Sequence, residues 1–149
     1  MNANPVTWES GTLTIIDQTL LPAELKYITL DTLDMVWSAI KQLQVRGAPA
    51  IGVCAAFGVL VALKERHPAT LKAARHALGI VADHLATSRP TAVNLFWALD
   101  RMRSVSVAGD SDDAPSQFLA ALEREAQAIY DEDRSVCKRL GAYGAPLIT

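Results

Sequence analysis

The chain has 149 residues, of which half are hydrophobic and a fifth are charged, and its net charge is −2. This composition excludes a disordered chain and suits one folded domain with a real core. Without a basic excess, nucleic-acid binding has no electrostatic support. Cys54 and Cys137 are far apart in sequence and form no disulfide framework. The start of the sequence, MNANPVTWESG, lacks the basic segment and following apolar segment of a signal peptide, so the expected location is the cytoplasm.

The first thirty residues are predicted to form a small antiparallel β element. The run TLTII, Thr12–Ile16, is rich in β-branched residues, and KYITL, Lys26–Leu30, is a second strand candidate. Turn residues occupy the segment 17–22 between them.

Residues 31–145 are predicted to form a bundle of about five helices, which makes the fold class α+β. Thr32 caps the first helix, and Pro49 takes the first position of the second, whose sixteen-residue apolar run Ala48–Leu63 is short for a membrane span and predicts a buried core helix. The third helix runs from about Ala69 to Ala86, and Pro90 starts the fourth. The predicted apolar stripes are Leu33, Val36, Trp37, Ile40 and Leu43; Leu71, Ala74, Leu78, Val81, Ala82 and Leu85; Val93, Phe96, Trp97 and Met102; and Phe118, Leu122, Ala126, Ile129, Val136 and Leu140.

The remaining segments are predicted to be connections. The polar stretch 108–116 is a surface loop, and Gly141 or Gly144 ends the last helix. Gly52 and Gly58 inside the apolar helix indicate close helix packing. The end of the sequence, 145–149, is apolar and β-like, and it resembles the start of a further segment.

Two turns carry an arginine directly before a helix. Arg46 precedes Gly47 and Pro49, and Arg89 precedes Pro90. The first N–H groups of a helix are unpaired and its dipole is positive there, so an adjacent arginine completes a site for an anion, phosphate above all. Glycine at position 47 lets a ligand approach the backbone. The alternative is structural: arginines near helix starts often pair with a carboxylate.

The segments VRGAPAIG, 45–52, and SRPTAVNL, 88–95, together resemble paired signatures of the methylthioribose-1-phosphate isomerase family, whose members are related to regulatory subunits of translation initiation factor 2B. IIDQTLLP at 15–22, WSAIKQLQ at 37–44 and EDRSVCKRLGAYG at 132–144 also agree with that family. The resemblance covers nearly the whole chain and identifies it with the family's N-terminal domain.

The resemblance implies conversion of 5-methylthioribose 1-phosphate to 5-methylthioribulose 1-phosphate in methionine salvage, without a cofactor and in a homodimer. It assigns substrate contacts to Arg46, Gly47, Ala48 and Arg89. The family's catalytic cysteine and aspartate belong to a second, Rossmann-like domain beyond the match to Thr149. The chain alone is therefore expected to be inactive.

Other sites are weaker. Cys54 is expected to be a core residue, and Cys137 an ordinary helix position. The histidines His67, His76 and His84 lack metal-binding spacing, and the aspartates Asp110, Asp112 and Asp113 lack the period of a calcium loop. The acidic run 131–133 predicts a solvated helix face or a cap for a neighbouring helix.

Three other functions stay open. The first is an isomerase of a related pentose phosphate, 5-deoxyribose 1-phosphate or ribose 1,5-bisphosphate. The second is a non-catalytic regulatory subunit like those of initiation factor 2B. The third is a helical domain whose arginine turns are only structural. Nucleic acid and membrane are not expected partners.

Overall fold

A three-stranded antiparallel sheet opens the fold and is followed by five helices. The computed structural model describes residues 4–108 and 114–148. Strands β1 Val6–Glu9, β2 Thr12–Ile16 and β3 Tyr27–Leu30 pair in the order β1-β2-β3. The helices are α1 Leu33–Lys41, α2 Ala48–Arg66, α3 Leu71–Ala86, α4 Val93–Arg103 and α5 Ala114–Gly144. The predicted α+β class and the helix bundle are confirmed.

Helix α2 is the centre of the molecule. Every residue from Ile51 to Leu63 is buried, so the helix has no solvent-facing side. It packs against α1, α3, α4, α5 and two strands of the sheet. Its length and apolar composition would suffice to cross a membrane, but 72% of its most apolar window lies inside the protein. The prediction of a buried core helix is confirmed.

The sheet contributes one face to this core and is tied to two helices by Trp8. Val6, Leu13, Ile15 and Leu30 are buried against the helices. The Trp8 ring stacks on Phe57 of α2 with ring centroids 5.1 Å apart, and its indole N–H donates to Glu123 of α5 at 2.6 Å. Strand β1 was not predicted individually, because its four residues, VTWE, are too few to show a clear alternation of apolar and polar side chains.

The predicted stripes differ in how well they match the buried faces. In α3 all six predicted residues are buried. In α4 the buried residues are Leu95, Ala98, Leu99 and Met102, so of the predicted stripe only Met102 is correct. In α5 the stripe is buried as far as Ile129, whereas Val136 and Leu140 are 43% and 67% exposed. The wrong residues are apolar at helical spacing but have no neighbouring element to cover them.

Several predicted boundaries are also wrong. Pro49 is the second residue of α2, and Pro90 lies in a turn before Ala92, the N-cap of α4. Gly141 lies inside α5 and does not break it, whereas the helix does end at Gly144, as predicted. The segment Ala145–Leu147 is a 3-10 turn and not a strand, because Pro146 fits the tight helical turn. Part of the predicted loop 108–116 lies outside the described residues, as do Asp110, Asp112 and Asp113.

Two glycines of α2 allow neighbouring helices to approach closely, as predicted. A Cβ at Gly58 would come 2.5 Å from Val36 Cγ1 of α1. A Cβ at Gly52 would come 3.0 Å from the carbonyl oxygen of Asn94 in α4. Side chains at these positions would push α1 and α4 away from the central helix.

The Gly58→Ala variant should therefore be less stable, by roughly 1–3 kcal/mol as is typical of overpacking. The matched control is Gly79→Ala in α3, where a Cβ would meet nothing within 4 Å. That change should stabilise the protein by about 0.5–1 kcal/mol because alanine is the better helix former. Urea unfolding of both variants measures the change in the free energy of unfolding. An equal change in the two variants would show that the close approach of α1 to Gly58 does not exclude a side chain there.

Candidate functional site

The turn that carries Arg46 is held in place by a buried carboxylate. Asp17, 5% exposed, accepts hydrogen bonds from the backbone N–H and the hydroxyl of Thr19 and from Nε2 of Gln44, at 3.0, 2.6 and 2.9 Å. Gln18 N–H also donates to the carbonyl of Gln44. Val45 is fully buried. The residues just before Arg46 are thus anchored from the β2–β3 connection and from the core.

The hydrogen bond from the Thr19 hydroxyl lowers the pKa of Asp17, and the Thr19 N–H and Gln44 amide add to the effect while burial opposes it. The sequence indicated only turn residues here. The available signal was the Asp-x-Thr pattern, in which an aspartate accepts from the residue two positions on. The hydrogen bond from Gln44 could not be predicted from local sequence, because Gln44 lies 27 residues after Asp17.

Arg46 and Gly47 form the start of α2. Arg46 is exposed, and its Nε donates to the carbonyl of Leu43 at 3.2 Å. Gly47 is the N-cap with φ +90°, a conformation that other residues rarely adopt, and no side chain caps the helix. A Cβ at Gly47 would meet nothing within 4 Å, so the backbone faces open space. Ala48, the first helical residue, is exposed.

The turn that carries Arg89 is anchored by α1 and by its own hydroxyls. Trp37 of α1 donates its indole N–H to Thr87 Oγ1 at 2.9 Å. The buried Ser88 donates to the carbonyl of Leu85 at 2.6 Å. The N–H of Ala92 donates to the carbonyl of Arg89, which closes the turn before α4. Helix α4, like α2, starts without a side-chain cap. Sequence patterns placed Trp37 in a core stripe and gave no sign of this role.

The two turns lie at the same end of the bundle. Gly52 in the second turn of α2 packs against Asn94 in the first turn of α4, so the two helices are in contact close to where both begin. The uncapped N–H groups of both helices therefore belong to one end of the molecule. Their positive partial charges add to the charges of the two arginines.

Neither arginine is paired with a carboxylate in residues 4–108 and 114–148. This contrasts with Arg101, which bonds to Glu125 and Glu132 at 2.6 Å each, and with Arg103, which bonds to Asp83 and Asp100. The structural alternative required Arg46 and Arg89 to form such pairs. Their charges are instead free to meet an anion.

Among the described residues, the carboxylates of Glu132 and Asp133 line a groove beside the starts of α2 and α4, and Glu132 is paired with Arg101. Burial raises the pKa of the Cys54 thiol to about 12, so it is protonated at neutral pH, and its predicted place in the core is confirmed. Cys137 is exposed on α5. No group of three potential metal ligands occurs within the described part of the chain. In the acidic run, Glu132 bonds to Arg101 of α4, while Asp131 is exposed.

A small sheet followed by a helical bundle is shared with solved structures of a sugar-phosphate isomerase and of an initiation-factor subunit. The profile of the initiation factor 2 subunit family matches residues 44–149, and the chain belongs to that family. The family resemblance expected from VRGAPAIG and SRPTAVNL is thereby confirmed.

Named relatives and solved structures give the same result. The chain is 45% identical over 144 residues to the 5-deoxyribose 1-phosphate isomerase of Moorella thermoacetica, a match that covers 97% of this chain and 41% of the relative. It is 42% identical to the methylthioribose-1-phosphate isomerase of Bacillus cereus, over 93% of this chain and 38% of the relative. The chain thus spans about two fifths of the length of these relatives.

Two solved structures share the fold over nearly the whole chain. The initiation factor eIF-2B delta subunit from A. fulgidus superimposes with a TM-score of 0.87 and 36% identity, over 99% of this chain and 42% of that one. The 5-methylthioribose 1-phosphate isomerase from Pyrococcus horikoshii OT3 gives 0.84 and 32% identity, over 95% and 40%.

Because hydrogen bonds hold Asp17 at a lowered pKa, its ionised form stabilises the folded state. This contribution is complete above the unfolded-state pKa near 3.8 and is lost as pH falls through the lower folded value. Asp17→Asn should cost about 1–3 kcal/mol at pH 7, because the amide nitrogen must face a donor, and the difference from the parent chain should shrink below pH 4. Urea unfolding at several pH values measures it.

The matched control is Asp31→Asn, which changes an exposed carboxylate at the end of β3. This variant should unfold like the parent chain at pH 7. An Asp17→Asn penalty that stays constant from pH 7 down to pH 2 would show that shape, and not charge, fixes the turn.

Proposed function

We propose that this chain is the substrate-binding N-terminal domain of a pentose-phosphate isomerase, with residues 1–30 as its β element and 31–145 as its helical bundle. The observation that carries the proposal is a pair of arginines, Arg46 and Arg89, that have no carboxylate partner among the described residues and lie beside two helix starts without side-chain caps at one end of the bundle. A phosphate monoester carries the charge and the acceptor oxygens that suit such a site.

Each proposed contact residue has a distinct role. The guanidinium groups of Arg46 and Arg89 donate to phosphate or sugar oxygens. Gly47 presents backbone without a side chain, and its φ of +90° keeps the peptide open to the ligand. Ala48 supplies one of the first free N–H groups of α2, and Pro49 has none to offer.

The proposed reaction is conversion of 5-methylthioribose 1-phosphate to 5-methylthioribulose 1-phosphate, an aldose–ketose isomerisation in methionine salvage. A second candidate substrate is 5-deoxyribose 1-phosphate, favoured by relatives with that name at 43–45% identity. Both are pentose 1-phosphates without a free hydroxyl at C5, so one anion site serves either. Ribose 1,5-bisphosphate stays a third possibility, because it carries the same phosphate at C1.

Binding alone does not isomerise a sugar, because a proton must be moved between carbon atoms. Arginine does not act as a base at neutral pH, and the Cys54 thiol is buried and protonated. The proposal follows the family resemblance in assigning the catalytic cysteine and aspartate to sequence outside these 149 residues. The whole enzyme is proposed to be a cytoplasmic homodimer.

The anion site predicts that Arg46→Ala and Arg89→Ala each weaken sugar-phosphate binding by roughly 10- to 100-fold, the usual value of a charge-assisted hydrogen bond. Titration calorimetry with 5-methylthioribose 1-phosphate, 5-deoxyribose 1-phosphate and inorganic phosphate measures this. The control is Arg66→Ala at the other end of α2, which should bind like the parent chain. If Arg46→Ala and Arg89→Ala both bind sugar phosphate like the parent chain, the two turns have a structural role and do not bind the anion.

The proposed division of labour also predicts that the purified chain binds either pentose phosphate without turning it over. Proton NMR of each sugar phosphate, incubated with the chain, follows formation of the ketose directly. Appearance of ketose above the rate of a protein-free control would place a complete catalytic site within the chain. Tight binding without turnover by a longer protein that contains this chain would instead favour the alternative of a non-catalytic regulatory subunit like those of initiation factor 2B.

A further inference from the structure

A groove of about 320 Å³ begins where α2 and α4 start. Pro49, the second residue of α2, lines this groove together with Asn94 in the first turn of α4. Arg46, Gly47 and Ala48 directly precede Pro49 in the chain. The groove therefore adjoins the turn at which the phosphate is proposed to bind, and it offers space for the rest of a ligand held there.

One part of the groove is apolar. Val53 lies one helical turn after Pro49, about 6 Å further along α2, and it lines the groove with Trp97 of α4 and Val136 of α5. Val53 is buried, whereas Trp97 and Val136 are 45% and 43% exposed. An apolar group that enters the groove removes part of these two exposed side chains from water, which favours its binding.

The position of Trp97 is fixed by Arg101, one turn further along α4. The guanidinium carbon of Arg101 lies 5.0 Å from the centroid of the Trp97 ring. The same guanidinium donates to Glu125 at 2.6 Å and to Glu132 at 2.6 and 3.1 Å, both on α5. Because one cation makes all of these contacts, it ties α4 to α5 and holds Trp97 and Glu132 in place in the groove lining.

Asp133 gives the groove a negative charge. The charge of Glu132 is matched by Arg101. Asp133 also lines the groove and is half-buried, and it forms no ion pair with any residue in 4–108 or 114–148. A carboxylate accepts hydrogen bonds from sugar hydroxyls and repels a phosphate. The groove thus suits an uncharged ligand group and opposes an anionic one.

We propose that this groove receives the C5 end of the pentose 1-phosphate and selects ligands whose C5 group is apolar and uncharged. The C1 phosphate and the C5 group of a pentose ring extend from the two carbons that flank the ring oxygen, at opposite ends of the ring. With the phosphate at the start of α2, the C5 group lies beside Val53, Trp97 and Val136. A methyl or methylthio group gains apolar contact there, whereas a second phosphate would meet Asp133. The inference rests on the proposed function, because it requires the phosphate at the arginine turns.

The first test concerns the apolar part of the groove and uses titration calorimetry. The parent chain should bind 5-methylthioribose 1-phosphate roughly tenfold tighter than ribose 1-phosphate, whose C5 carries a hydroxyl, since one apolar group in a pocket changes affinity by about this factor. Val136→Asn should abolish this preference and leave the affinity for inorganic phosphate unchanged. The matched control is Leu140→Asn, which changes an exposed residue one turn further along α5 and should keep the preference.

The second test concerns the charge of the groove. Asp133→Asn should raise the affinity for ribose 1,5-bisphosphate by roughly three- to tenfold, because a like charge beside the C5 phosphate is removed. It should leave the affinity for 5-methylthioribose 1-phosphate unchanged. The matched control is Asp131→Asn, which removes the same charge from an exposed side chain that points in a different direction and should change neither affinity.

The arginine variants separate failure of the groove from failure of the phosphate site. If Arg46→Ala and Arg89→Ala weaken binding of every phosphate ligand, while Val136→Asn and Asp133→Asn keep the parent affinity ratios, the groove proposal is overturned and the phosphate site stands. A parent chain that binds ribose 1,5-bisphosphate or ribose 1-phosphate as tightly as 5-methylthioribose 1-phosphate would also overturn the groove proposal alone. Unchanged affinities in both arginine variants, or no binding of any sugar phosphate, would overturn both proposals.

Discussion

The fold depends on complete burial of α2. A helix with thirteen consecutive buried residues cannot face water on any side, so four helices and the sheet must surround it. Gly52 and Gly58 let two of these neighbours approach its backbone. The same constraint places the start of α2, and with it Arg46, at a fixed position on the surface. The position of the proposed anion site is thus an outcome of core packing.

The two arginine turns are held in place by contacts with different parts of the protein. The Arg46 turn is anchored from the sheet side, through the buried Asp17 and Gln44. The Arg89 turn is anchored from the bundle side, through the indole of Trp37 and the buried Ser88. Contact between α2 and α4 at Gly52 and Asn94 then joins the two supports. An anion bound at these turns would meet donors that are already oriented, which lowers the entropic cost of binding.

Sequence patterns predicted this fold where one helix face decides burial, and they were wrong where a neighbouring element decides. All six stripe residues of α3 are buried because a bundle helix with one apolar face has one way to pack. Helix α4 has apolar residues on more than one face, and contact with α2 selects Leu95, Ala98 and Leu99 over Phe96 and Trp97. The arginine turns were visible from local chemistry and family motifs. Asp17, Gln44 and Trp37 support those turns through contacts 27 or more residues apart in sequence, which no local pattern records.

The fold itself does not choose between catalysis and regulation. An initiation-factor subunit and an isomerase share it with nearly equal TM-scores, 0.87 and 0.84. The proposed anion site does not distinguish the two roles either, since a sensor and an enzyme of sugar phosphates would both need to hold a phosphate. What separates the two roles is a group that moves a proton, and the turns provide donors and positive charge only. Within the described residues, then, the physical chemistry of the two turns suits a class of ligand, an anion with several acceptor oxygens, and does not by itself specify a reaction.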